Sequence, residues 1–308
     1  MIYLYRNVTG KVPRAFPDEL LFPIERIEQV NLGDKILFLG YDLDSSWVAS
    51  EGKVLLTLYW LALEPMEADY VVYLKLINAL YHVWGEQESR PYWDGLPTNT
   101  WHKGQLVGDT REIELLPGTP PGSYQITVNL FDPYRREELK PERDLVLGPV
   151  DVPRREPPPL SALDIVHPLE VDLGGTANFR KVRLLGYNIE SGFRPGDNIH
   201  LTLFWQALAK MDQNYTVFTH LIDGEKRIWG QKDNPPVDGF YPTSGWEAGE
   251  IVRDQYDIPI SPDAPPGEYQ IEVGMYLVET GERLPVLDEA GQVQDNRVVL
   301  GRIQVVGQ

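Results

Sequence analysis

The feature that most constrains this chain is an internal repeat. Shifting residues 54–139 by 145 positions without a gap places 31 of 86 residues on identical partners. Leu56-Thr57-Leu58-Tyr59-Trp60 lies on Leu201-Thr202-Leu203-Phe204-Trp205, and Trp84-Gly85 on Trp229-Gly230. Pro97-Thr98 followed by Trp101 lies on Pro242-Thr243 followed by Trp246. Outside that window Gly40-Tyr41 answers Gly186-Tyr187, and Val146-Leu147-Gly148 answers Val299-Leu300-Gly301. A period near 145 is a domain length, not a solenoid unit. The 308 residues therefore read as a tandem duplication of one domain. The boundaries expected are an N-terminal extension at 1–30, a first copy at 31–152, a Pro-rich linker at 153–163 and a second copy at 164–308. Pro157-Pro158-Pro159 favours polyproline II, which makes that linker a semi-rigid spacer.

Each copy reads as all-β. Leu201, Leu203, Trp205 and Ala207 share one apolar face, and Tyr269, Ile271, Val273 and Met275 alternate cleanly with Gln270, Glu272 and Gly274. That period of two marks half-buried antiparallel strands. The first copy repeats it with Tyr124, Ile126, Val128 and Leu130. Pro266-Gly267 suits the central positions of a type II turn. Glycine (27) and proline (26) together make up roughly a sixth of the chain, which fits many turns between short strands. Seven or eight strands per copy form a β-sandwich of two antiparallel sheets, Ig-like or jelly-roll.

Composition excludes several function classes. With 46 acidic against 28 basic residues the net charge is −18, a field that repels nucleic acid and anionic membrane surfaces. There is no cysteine, hence no disulfide frame, thiolate nucleophile or Cys-type zinc site. The five histidines form no H-x-H, H-E-x-x-H or triad context, and no glycine-rich phosphate loop occurs. No cofactor is expected, and no apolar run approaches the length of a membrane span. The chain reads as a soluble piece of something larger.

Candidate binding residues concentrate in the second copy. Trp60 and Trp205 alternate with leucines and belong to the core. Trp229, Tyr241 and Trp246 instead sit among Gly, Pro, Asp and Gln, between 223 and 254. Aromatic faces stack on the C–H patches of pyranose rings, and Gln231, Asp233 and Asn234 supply groups for hydroxyls. A structural alternative stands beside this one, in which each tryptophan clamps a long loop against the sheet rim. His220, Gln231, Asp233, Asp238, Glu250 and Asp254 face Lys75, Glu86, Glu88, Trp93, Gln105 and Asp109 in the first copy. Only the last acid is shared, and Asp109/Asp254 most simply accepts loop N–H bonds. The other acids are too scattered to nominate a glycosidase pair. Loop carboxylates suit calcium, yet no D-x-D-x-D-G run is present.

The second copy, from "GYNIESGFRPGDNIHLTLFWQAL" through "WGQKDNPPVDGFYPTSGWEAGEIVRDQYDIPISPDAPPGEYQIEVGMYLVETGERL", resembles a bacterial module over roughly residues 183–285. That module is the soluble tail of polytopic membrane glycosyltransferases of the dolichyl-phosphate-mannose-dependent mannosyltransferase type. Residues 3–16, "YLYRNVTGKVPRAF", resemble the segment that follows the last membrane span in such proteins. The first copy departs from the pattern at Lys75, Arg90 and Leu96. The resemblance implies an extracytoplasmic β-sandwich tail and carries over no catalytic residue. Two functions are compatible with all this. One is a non-catalytic accessory region binding glycan or another cell-envelope component. The other is a structural spacer or protein-interaction stalk. Solvent-facing Trp229, Tyr241 and Trp246 would favour the first, and buried rings the second.

Overall fold

The computed structural model of the chain describes residues 5–6, 24–176 and 179–307. The segment at 3–16 lies outside these, apart from the backbone of Tyr5–Arg6. The chain divides into two compact units. One ends at Leu116 and takes in Pro121–Arg155; the other comprises Pro117–Pro120 and the residues from Glu156 onward.

In the first unit the strands are β1 (Tyr5–Arg6), β2 (Arg26–Leu32), β3 (Ile36–Asp44), β4 (Lys53–Ala62) and β5 (Val71–Ile77). There follow β6 (Val83–Ser89), β7 (Gln105–Glu114), β8 (Gly122–Asp132), β9 (Glu137–Glu138) and β10 (Val146–Val152). One sheet has the order β1-β7-β4-β3-β2, the other β10-β8-β5-β6 with β9 on β8. The second unit has β11 (His167–Thr176), β12 (Phe179–Ile189), β13 (Asn198–Ala207), β14 (Thr216–Ile222) and β15 (Ile228–Asn234). It continues with β16 (Ile251–Pro259), β17 (Gly267–Tyr276), β18 (Val286–Leu287), β19 (Val293–Asp295) and β20 (Val298–Val305). Its sheets run β16-β13-β12-β11-β18-β19 and β15-β14-β17-β20.

Stripped of the two- and three-residue strands, both units have eight strands in the same order among the described residues. The hairpin β3–β4 lies in one sheet and β5–β6 in the other. Strand β7 returns to β4, β8 crosses to β5, and β10 closes on β8. Those Greek-key crossings belong to an immunoglobulin-like sandwich, not to a jelly roll. The fold is a tandem duplication of antiparallel β-sandwiches. Strand β2 begins at Arg26, so the first sandwich reaches into the stretch that has no duplicate in sequence. Likewise Leu163, within the Pro-rich stretch, is fully buried against Leu185, Phe204 and Ile251 of the second unit.

The predicted alternation decides the core. In β4, Val54, Leu56, Leu58 and Trp60 are buried while Lys53, Leu55, Thr57 and Tyr59 are only half-buried. In β13, Ile199, Leu201, Leu203 and Trp205 point inward in the same way. The repeated Gly-Tyr pair bolts one sheet to the other. Gly40 sits at a bulge where a Cβ would lie 2.1 Å from the Arg26 carbonyl oxygen, and at Gly186 it would lie 2.5 Å from that of His167. The next residue, Tyr41, accepts the Gly148 N–H at 3.1 Å through its hydroxyl, and Tyr187 accepts that of Gly301 at 2.9 Å.

Candidate functional site

The connection from β15 to β16 opens with a left-handed turn. Val237, Asp238 and Gly239 have φ of +54°, +52° and +86°. A backbone of this hand leaves N–H groups without helical partners, and Asp254 of β16 takes one, accepting from Val237 at 2.8 Å. The first unit builds the same turn from Tyr92, Trp93 and Asp94, at φ of +58°, +52° and +66°. There Asp109 accepts the Tyr92 N–H at 2.7 Å. The shared acid holds a loop.

The Pro-Thr step that follows is a second anchor. Thr243 is buried, accepts the Tyr215 N–H at 2.9 Å and donates to the Gln213 carbonyl at 2.8 Å. Thr98 does the same with Tyr70 and Ala68. A single 3₁₀ turn, Thr243–Gly245, then delivers Trp246 inward. That side chain is 0% exposed, and its Nε1 donates to the Tyr241 carbonyl at 3.0 Å. Trp101 is buried in the same way, donating to Leu96 at 3.2 Å. Tyr241 is also buried, with its ring 6.5 Å from that of Trp246 and its hydroxyl 2.8 Å from Glu250 Oε1. The other oxygen of Glu250 accepts the Glu247 N–H at 2.9 Å.

The expected stacking platform is therefore not assembled. Trp246 and Tyr241 face inward because their polar tips find partners within the loop itself, so burial leaves nothing unsatisfied. Trp229 occupies a bulge at the start of β15, half-buried, with its Nε1 donating to Asp223 Oδ2 at 2.9 Å. That bond, foremost, holds the Asp223 carboxyl below the ordinary range. The guanidinium of Arg227 lies 5.7 Å from the Trp229 ring. Asn234 is five residue steps along the extended chain from Trp229, about 17 Å, so Trp229 stands at the other end of the strand from the Tyr241–Trp246 pair. Asn234 turns to Asp238.

Gln231 and Asp233, both exposed, do meet other groups on the outer face of this sheet. Gln231 is the cross-strand partner of His220, whose Nε2 lies 3.4 Å from Asp233 Oδ1. His220 packs against Phe218 at 5.1 Å, and the Arg283 guanidinium covers that phenylalanine at 4.0 Å. Burial, with Asp233 nearby, raises the Tyr276 phenol above its ordinary value. Phe218, Tyr276 and Arg283 were not legible as partners of this group, since they come from other strands and from a later loop.

The two buried acids differ in how their charge is answered. Asp109 contacts Arg111 at 2.7 Å, and that guanidinium also donates to Gln87 Oε1 at 2.6 Å. Burial pushes Asp109 up and Arg111 down, and their contact offsets only part of this. Position 256 carries tyrosine in place of that arginine. Asp254 accepts from Val237, from Trp205 Nε1 at 3.2 Å and from the Tyr256 hydroxyl at 2.7 Å, and no cation among the described residues is bonded to it. Burial outweighs those donors and pushes its carboxyl up to about 7.

Among the described residues no group of three or more His, Asp and Glu side chains is arranged to hold a metal ion. No family model and no curated protein matches the chain. Among solved structures, it is similar to a glycosyl hydrolase family 2 member from Bacteroides cellulosilyticus DSM 14838, at 7% identity and a TM-score of 0.25. That match covers 81% of this chain and 28% of the other. The BSP domain of a biofilm associated protein matches at 11% identity and a TM-score of 0.22, covering 89% and 52%. The partial N-terminal region of an enterococcal surface protein matches at 7% and 0.23, covering 94% and 98%. The chain spans about a third of the length of the glycosyl hydrolase and β-galactosidase chains it matches.

Proposed function

We propose that this chain is a non-catalytic accessory region, two immunoglobulin-like sandwiches in tandem, of an extracytoplasmic, membrane-associated glycan-processing protein. The observation that carries the reading is the burial of Trp246 and Tyr241, with hydrogen bonds inside their own loop and a duplicate at Trp101. The loop richest in sugar-binding residue types closes the end of its sandwich, which favours a spacer role for the second unit. The resemblance of residues 183–285 to glycosyltransferase tail modules supports the parent's class. No helix among the described residues is long and apolar enough to cross a membrane. In this reading membrane attachment runs through another segment of the parent.

The acids also favour a non-catalytic role. Asp254 and Glu250 are engaged by loop N–H groups, Asp238 by Asn234, and Asp233 by His220. Acid–base hydrolysis of a glycoside needs two carboxylates facing each other across a cleft. The test is a turnover assay of the purified chain on glycosides, esters and nucleotides. No protein-dependent turnover is expected. Robust turnover, abolished by one Asp or Glu substitution, overturns the reading.

A further inference from the structure

The first sandwich exposes aromatic rings where the second does not. At the loop end of the first unit, Trp93 is 59% exposed, Tyr134 79% and Tyr92 38%. They come from two different connections, β6–β7 and β8–β9. One side chain ties these to a third connection, β4–β5. Arg90 Nε donates to Asp69 Oδ2 at 2.5 Å, its Nη1 lies 3.7 Å from Asp94 Oδ1, and its Nη2 is 3.4 Å from the Tyr134 hydroxyl. Asp94 also accepts the Arg90 backbone N–H at 2.9 Å. A guanidinium with several fixed donors holds such a junction in one geometry, so the rings stand on a braced support.

The second unit supplies an internal control. It makes the same left-handed turn from Val237, Asp238 and Gly239, with glycine at the third position. Folding of the turn thus needs neither Tyr92 nor Trp93. Non-glycine residues take positive φ only at a cost, and three consecutive ones bear it here. A tryptophan more than half exposed recovers little of that cost by burial.

We infer that Tyr92, Trp93 and Tyr134 form a carbohydrate-binding ledge on the first sandwich, taking neutral glycans whose pyranose faces stack on the rings. Asp94, with an exposed carboxylate beside Trp93, accepts hydrogen bonds from sugar hydroxyls. Charge selects against acidic glycans, because the chain carries −18 overall. Composition of the rim separates a sugar from a protein partner. On the chain that carries Tyr134 the exposed residues include Pro133, Arg135, Arg136 and Glu137, with Glu67 3.4 Å from Arg135, so the rim is mostly charged and short of the apolar side chains that build a desolvated protein–protein core. This site is independent of the reading of the second unit, since it uses none of its residues.

The experiment is native electrophoresis of the full chain through gels containing soluble glucomannan, mixed-linkage β-glucan or dextran, with alginate as the polyanionic comparison. Retardation by at least one neutral polymer and none by alginate is expected. Trp93→Ala and Tyr134→Ala each weaken it about tenfold or more. Trp47→Ala, which removes another exposed tryptophan at the opposite loop end, leaves it unchanged. Melting curves of all three variants coincide with that of the parent. Should Trp93→Ala alter the melt, Tyr134→Ala decides. No retardation by any neutral polymer, stronger retardation by alginate, or equal loss in Trp47→Ala overturns the inference.

Discussion

Asp109 and Asp254 occupy the same position in the two sandwiches, and each holds a left-handed turn through one backbone N–H. In the first unit the carboxylate is answered by Arg111. Removing that partner with Arg111→Ala leaves an uncompensated buried charge, so urea unfolding should show a loss of roughly 3–5 kcal/mol. In the second unit Tyr256 and Trp205 supply hydrogen bonds but no charge, and burial raises Asp254 from the ordinary 3.8 to about 7. A carboxyl raised on folding contributes stability that is fully present below its unfolded value and lost as pH rises through its folded one. Between pH 4 and 8 the second unit should accordingly lose roughly 4 kcal/mol from this group. Asp254→Asn should flatten that part of the stability–pH profile, whatever its offset. An unchanged slope in the variant would assign the titration elsewhere. The pairing of the two acids was readable from the repeat; the loss of the cation required knowing that positions 111 and 256 lie beside them.

At the scale of elements, the alternation in β4, β8, β13 and β17 specified strands and their buried faces. Strand order was not written there, because a period of two orients side chains without choosing neighbours. The Gly-Tyr pairs carried part of that information in a form visible only in three dimensions. Each glycine admits a close carbonyl at a bulge, and the tyrosine after it reaches the opposite sheet. Gly186→Ala would drive a methyl into the His167 carbonyl and should destabilise the second unit strongly. Tyr187→Phe should cost only about 1 kcal/mol, the worth of one hydrogen bond. Comparable losses in the two variants, read from chemical unfolding, would contradict this division of roles. The loop tryptophans misled for a related reason. Polar and turn-forming neighbours make Trp246 look exposed, whereas Thr243 and Tyr241 fold those neighbours inward around it. Its duplicate at Trp101 was the available sign of a structural task. Exposure of Trp93 was hidden by the opposite difficulty, since three consecutive positive φ angles at non-glycine residues have no sequence signature.

Across the whole molecule, duplication has kept most of the parts that hold each sandwich together and varied the surface and the buried partner of the shared acid. Core tryptophans, bulge glycines, bolting tyrosines, the Pro-Thr anchor and the buried acid occur in both units. What differs is Lys75 against His220, Trp93 against Asp238 and Arg111 against Tyr256. The loop tryptophan that both units repeat is a clamp. Parallel measurement of thermodynamic stability and neutral-glycan retention in Trp246→Ala checks this role. A buried tryptophan truncated to alanine should lower stability by roughly 3–5 kcal/mol while leaving glycan retention by the first unit intact. A melting curve matching that of the parent, together with abolished glycan retention, would contradict the claim.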